Sequence, residues 1–215
     1  VSTQSTGMIK YEEGENKLFI YGPDFPEILQ QDDKYKKARF VFAPDLKLVP
    51  KYGFEGFTYL QHAILPKAEE LGEESFGLCK CLLVVFMPCV KKIGKNCFTN
   101  SRALSKLCLG TLKEVEQSAF STAFLYKFDC SNVSQIGGCC FNKVNSLIIG
   151  RETNFEEQSD ATFFNVIDLR QNVPKPLPNN EKINFCQKEA LPVIGQKQAR
   201  IELDDEIYIV DQTLY

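Results

Sequence analysis

Nine cysteines and a single histidine, His62, are the residues of this chain best suited to chemistry. The cysteines stand at 79, 81, 89, 97, 108, 130, 139, 140 and 186. Thiolates bind structural zinc through paired knuckles of C-x2-C type. Cys79 and Cys81 flank one lysine, and Cys139 and Cys140 are adjacent, so neither spacing fits. His62 could serve as a base only with a nucleophile and an orienting group within reach. The sequence points to neither. Gly94-Lys95 lacks the upstream glycine and the following hydroxyl of a phosphate loop. The acidic run Glu202–Glu206 lacks the alternating ligands and glycine of a calcium loop. This inventory predicts a non-enzyme, with no catalytic residue, no metal and no cofactor.

Two linear motifs remain. Asn132-Val133-Ser134 is an acceptor sequence for N-glycosylation in a protein secreted from a eukaryotic cell. Lys182, Ile183 and Phe185 match the basic–aliphatic–any–aromatic docking motif of type-one protein phosphatase regulators, a motif that binds as an added strand. The net charge of −3 gives no general reason to expect nucleic acid or an anionic membrane as partner. The longest apolar run, Leu82–Met87, falls far short of the roughly 20 residues of a spanning helix. No signal peptide is visible, and the start at Val1 fits a removed leader or a trimmed start.

The elements that position these residues are set by a repeat. Phenylalanine returns at 54, 76, 98 and 120, then at 141 and 163. A period of this length marks stacked coils, each placing the same residue at the same point of the cross-section. Leu60, Leu82, Leu104 and Leu125 open successive coils. Ala63, Val85, Leu107 and Phe128 follow, then Leu65, Met87, Leu109 and Cys130. This is the period-2 alternation of a short strand. Pro66 and Pro88 remove a donor where pairing should stop. Two apolar columns come next, Leu46, Ala68, Val90, Leu112 and Val133, then Val49, Leu71, Ile93, Val115 and Ile136. Gly72, Gly94 and Gly137 then suit a turn with positive φ. Five coils fit from about Ala38 to Asn145. A sixth, Val144–Phe163, is expected to carry extra residues at 151–160, and a last strand spans Phe164–Leu169.

Segments such as LQHAILPKAEELGEESFGLCKC and LLVVFMPCVKKIGKNCFTNSRA resemble the BspA-like class of leucine-rich repeats over residues 38–169. The resemblance implies a right-handed, β-rich leucine-rich-repeat solenoid with a parallel sheet on its concave side. It also implies adhesion or protein binding, as in bacterial surface proteins, and no general enzymatic activity.

Residues 1–37 read as a hairpin cap and linker, from the β-prone runs Met8–Tyr11 and Lys17–Tyr21. Residues 170–215 hold Pro174, Pro176 and Pro178, then a second hairpin at Ala199–Leu203 and Glu206–Val210. This tail either seals the last coil or forms a partner-binding arm. The outward strand positions make two columns. One runs Phe40, His62, Val84, Lys106, Lys127; the other runs Phe42, Ile64, Phe86, Cys108, Asp129. Their N-terminal half is apolar and aromatic, the composition of an interaction patch. The expectation is a protein partner of unknown identity on this face, with the hairpin or the tail as the alternative cover. The protein acts as a monomer or as part of a larger assembly. Cys97 and Cys140 fall in a column of small residues with Gly53, Ser75 and Ala119. Free thiols there favour the cytoplasm, against the surface or secreted location that the resemblance implies.

Overall fold

The computed structural model describes residues 8–158, 161–169, 199–203 and 206–210. The chain opens with an antiparallel hairpin, β1 (Met8–Glu12) and β2 (Lys17–Tyr21). A short helix, α1 (Ile28–Gln31), then buries Leu29. From there each coil contributes two strands. In chain order these are β3 (Phe40–Phe42), β4 (Leu48–Val49), β5 (His62–Ile64), β6 (Glu70–Leu71), β7 (Val84–Phe86), β8 (Lys92–Ile93), β9 (Lys106–Cys108), β10 (Glu114–Val115), β11 (Phe120–Cys130), β12 (Gln135–Ile136), β13 (Phe141–Ile149), β14 (Asn154–Phe155) and β15 (Thr162–Asp168). A separate unit, Cys186–Tyr215, contains the antiparallel pair β16 (Ala199–Leu203) and β17 (Glu206–Val210).

The solenoid has two parallel walls. The first follows the order β1-β2-β3-β5-β7-β9 and is succeeded by a three-stranded sheet, β11-β13-β15. The hairpin does more than cap the first coil, because β2 pairs parallel with β3 and extends this wall. The second wall, β4-β6-β8-β10-β12-β14, is an unbroken ladder of two-residue strands. The sequence columns gave its buried residues, Val49, Leu71, Ile93, Val115 and Ile136, but not its strand character. Two residues are too few for an alternation to register.

Between the walls the phenylalanines stack. Ring centroids lie 5.1 Å apart for Phe54–Phe76, 5.4 Å for Phe76–Phe98, 5.2 Å for Phe98–Phe120 and 6.0 Å for Phe120–Phe141. Phe25 meets Phe54 edge-on at 5.1 Å and closes the N-terminal end of the stack. Phe163 is not the sixth rung. It pairs in register with Val144, and Val144 pairs with Leu125, so it belongs to the leucine column. Its spacing from Phe141 is a coincidence of coil length. Leu125 to Val144 and Val144 to Phe163 are both steps of 19 positions, so the sixth coil matches the one before it, is shorter than the earlier coils and holds no extra residues.

The glycines also act differently from expectation. Left-handed φ occurs two residues later, at Tyr52, Glu74, Asn96, Ser118 and Cys139, with φ between 52° and 62°. Gly72 and Gly94 are needed for close approach instead. A Cβ at Gly94 would lie 2.7 Å from the carbonyl carbon of Gly72, one coil away. Adjacent coils thus touch backbone to backbone at this column.

Each rung is tied to the next coil by a backbone bond. Phe76 N–H donates to Cys97 O at 2.9 Å, Phe98 to Ala119 O at 2.9 Å and Phe120 to Cys140 O at 2.8 Å. At Phe141 a side chain takes over. Gln158 Oε1 accepts the Phe141 N–H at 3.3 Å, while its Nε2 donates to Gly137 O at 2.8 Å. A buried glutamine therefore satisfies groups that would otherwise be orphaned at the open end.

Candidate functional site

The register brings the predicted face together and lengthens it. One column runs Lys17, Phe40, His62, Val84, Lys106 across five strands. Its neighbour runs Phe19, Phe42, Ile64, Phe86, Cys108. Lys17 and Phe19 were missed as members, because nothing in the sequence shows that the hairpin joins the wall. The alternation of Leu18 and Ile20, both fully buried, marks only a strand with one covered face. Lys127 and Asp129 lie outside this ladder, on β11, paired with Ser146 and Ile148 of β13.

Exposure corrects the picture of an open apolar patch. Phe42 is 7% exposed and Ile64 2%. The Phe19 ring meets Phe42 and Phe40 at 6.5 Å each, and Ile64 is flanked in register by Phe42 and Phe86. Phe40, His62, Val84, Phe86, Lys106 and Lys127 are half-buried, and Asp129 is exposed. The accessible part is thus a chequer of aromatic, aliphatic and cationic side chains.

His62 sits in this wall between Phe40 and Val84. Burial pushes its pKa below the ordinary histidine value. Among the described residues no group of three His, Cys, Asp or Glu converges as a metal site would require. Cys79, Cys97, Cys130 and Cys140 are buried, Cys81 and Cys89 exposed. Burial raises the Cys97 and Cys140 thiols to about 12. Ser75 Oγ and Cys97 Sγ lie 3.2 Å apart in the small-residue column. These thiols are packing groups, not nucleophiles.

The second wall presents a different surface. Lys67–Asp45 at 2.7 Å, Lys91–Glu69 at 2.5 Å and Lys51–Glu73 at 2.6 Å each join adjacent coils. Lys92 bridges Glu116 at 2.6 Å and Glu114 at 3.4 Å. Such exposed pairs add little stability each. They do leave that wall charged and solvated.

Asn132 is exposed just beyond β11, and the Ser134 hydroxyl donates to Lys113 O at 2.8 Å. The Lys182, Ile183, Phe185 motif, the proline stretch, Cys186 and the Asp204-Asp205 turn lie outside the described residues. Among the described residues no helix is long and apolar enough to cross a membrane.

The profile of the BspA type leucine rich repeat region matches six copies over residues 34–171, well over half of the chain. No curated protein and no solved structure matches it. With a stacked phenylalanine spine, two parallel walls and this profile in agreement, the chain belongs to the BspA-type leucine-rich repeat family.

Proposed function

We propose that this protein is a non-enzymatic interaction module that docks a protein partner on its first wall, as an assembly scaffold or an adhesin-like component. The observation that carries this reading is the contrast between the two walls. The second wall carries ion pairs between successive coils. The first wall aligns Phe40, Val84 and Phe86 with His62 and Lys106 across continuous strands. Apolar anchors with a polar rim suit a protein interface. The buried thiols support a reducing compartment, since Cys97 and Cys140 substitute for small residues in their column.

The test is Phe86→Asp. A charge at the centre of the docking face should weaken partner binding at least about tenfold, the loss of one anchor's contribution, compared at a temperature where both proteins are folded. Unchanged affinity removes this face from the interface.

A further inference from the structure

The first wall is not continuous. Among the described residues β9 ends one sheet and β11 begins the next. Across that seam Tyr126 N–H reaches Ser105 O at 3.4 Å. One coil earlier the equivalent carbonyl takes two bonds, from Ser105 N–H at 3.3 Å and from Lys106 N–H at 3.1 Å, and Met87 N–H bonds Cys108 O at 2.9 Å. The inward residues report the same break. Leu107 and Leu109 are only partly buried. Their counterparts Ala63, Val85, Leu65 and Met87 are fully buried.

The cause is legible in one column. Gly56, Leu78 and Asn100 take left-handed φ of 75°, 60° and 58° and turn the chain after each ladder phenylalanine. The next coil places Thr122 there. A β-branched residue is disfavoured in that region, and the chain runs extended as part of β11 instead. The bonding changes accordingly. Leu78 N–H donates to Thr99 O at 2.8 Å, but Asn100 N–H donates to the Thr122 hydroxyl at 2.6 Å. The extended path also shortens the coil. Leu82 to Leu104 is 22 positions and Leu104 to Leu125 is 21.

The opposite side is unbroken at this level. β8, β10 and β12 pair in register, and Phe98 stacks on Phe120 at 5.2 Å. One wall is split while the other is continuous, which is the construction of a hinge.

We propose that the solenoid flexes at the β9/β11 seam, with the strands up to β9 as one leaf, β11-β13-β15 as the other, and the second wall as the hinge line. Opening the seam changes the angle between Lys106 on one leaf and Lys127 on the other. The face would thereby adjust its curvature to what it holds. The inference does not depend on any partner.

Hydrogen exchange on the full-length protein at neutral pH tests it. Amides of Lys106–Leu109 and Tyr126–Phe128 should exchange at least about tenfold faster than those of Val84–Phe86 before the seam and Val144–Ile149 after it. Glu114–Val115 and Gln135–Ile136 on the hinge line should stay protected. Protection that is flat across the seam, or that falls steadily toward the C-terminal coil as simple end fraying would, overturns the hinge.

Discussion

Gln158 holds Phe141 where earlier coils use a backbone carbonyl: its amide oxygen accepts the Phe141 N–H at 3.3 Å while its nitrogen donates to Gly137 O. This bond makes the end of the repeat a built structure. Gln158→Ala would leave two buried backbone groups without partners. It should destabilise by about 1–3 kcal/mol, read as a lower urea midpoint with faster exchange confined to the last coil.

The phenylalanine spine carries the packing. Phe98 is fully buried between rings at 5.4 and 5.2 Å. Phe98→Ala leaves a cavity that rigid walls cannot collapse. We expect a loss of about 3–5 kcal/mol in chemical denaturation. An unfolding curve matching the parent would remove the spine from the core.

Backbone approach and backbone strain should separate cleanly. Gly94→Ala puts a methyl 2.7 Å from the Gly72 backbone and should cost about 1–3 kcal/mol. Leu78 sits at φ 60° with its side chain exposed. Asn100 already fills that column one coil later. Leu78→Asn should therefore raise stability by about 0.5–1 kcal/mol, since asparagine tolerates the left-handed region. Thermal unfolding of the two variants should move in opposite directions.

His62 gives the wall a pH dependence. Burial lowers its folded pKa, so the unfolded chain takes up the proton first as pH falls. The contribution is fully present above the unfolded value of about 6.5 and is lost as pH falls through the folded pKa. NMR titration of this sole histidine should give a midpoint below the ordinary value. Stability between pH 7.5 and 5.5, measured on His62→Gln, should fall less than in the parent.

Thiol chemistry should follow burial. Cys81 and Cys89 are exposed, while the Cys97 and Cys140 thiols are held near 12. Alkylation followed by mass spectrometry should modify the first two in the native state. The buried pair should react only on unfolding. Native labelling of Cys97 would contradict its place in the small-residue column.

The fold was legible because its period repeats the same side chain at the same structural point. Phe54 to Phe141, the leucine column and the small-residue column all read directly from spacing. Spacing failed where coil length changed. Phe163 kept the period by number and left the column in space. The left-handed positions were misassigned to Gly72 and Gly94, because a glycine signals freedom or close approach and the sequence does not distinguish them. The two strand columns of the proposed docking face were legible. The burial of Phe42 and Ile64 was not, since it depends on what packs beside a strand. Nor was the entry of Lys17 and Phe19 through the hairpin.

The docking claim is tested most directly by site-specific photocrosslinking from two positions on the intact protein, Val84 on the first wall and Glu70 on the second, in extract of the source cells. The account predicts a discrete protein adduct from position 84 and none from position 70. It further predicts that the captured partner, once purified, binds the Phe86→Asp protein at least about tenfold more weakly than the parent. An adduct from position 70 alone, or a purified partner indifferent to Phe86→Asp, would contradict it.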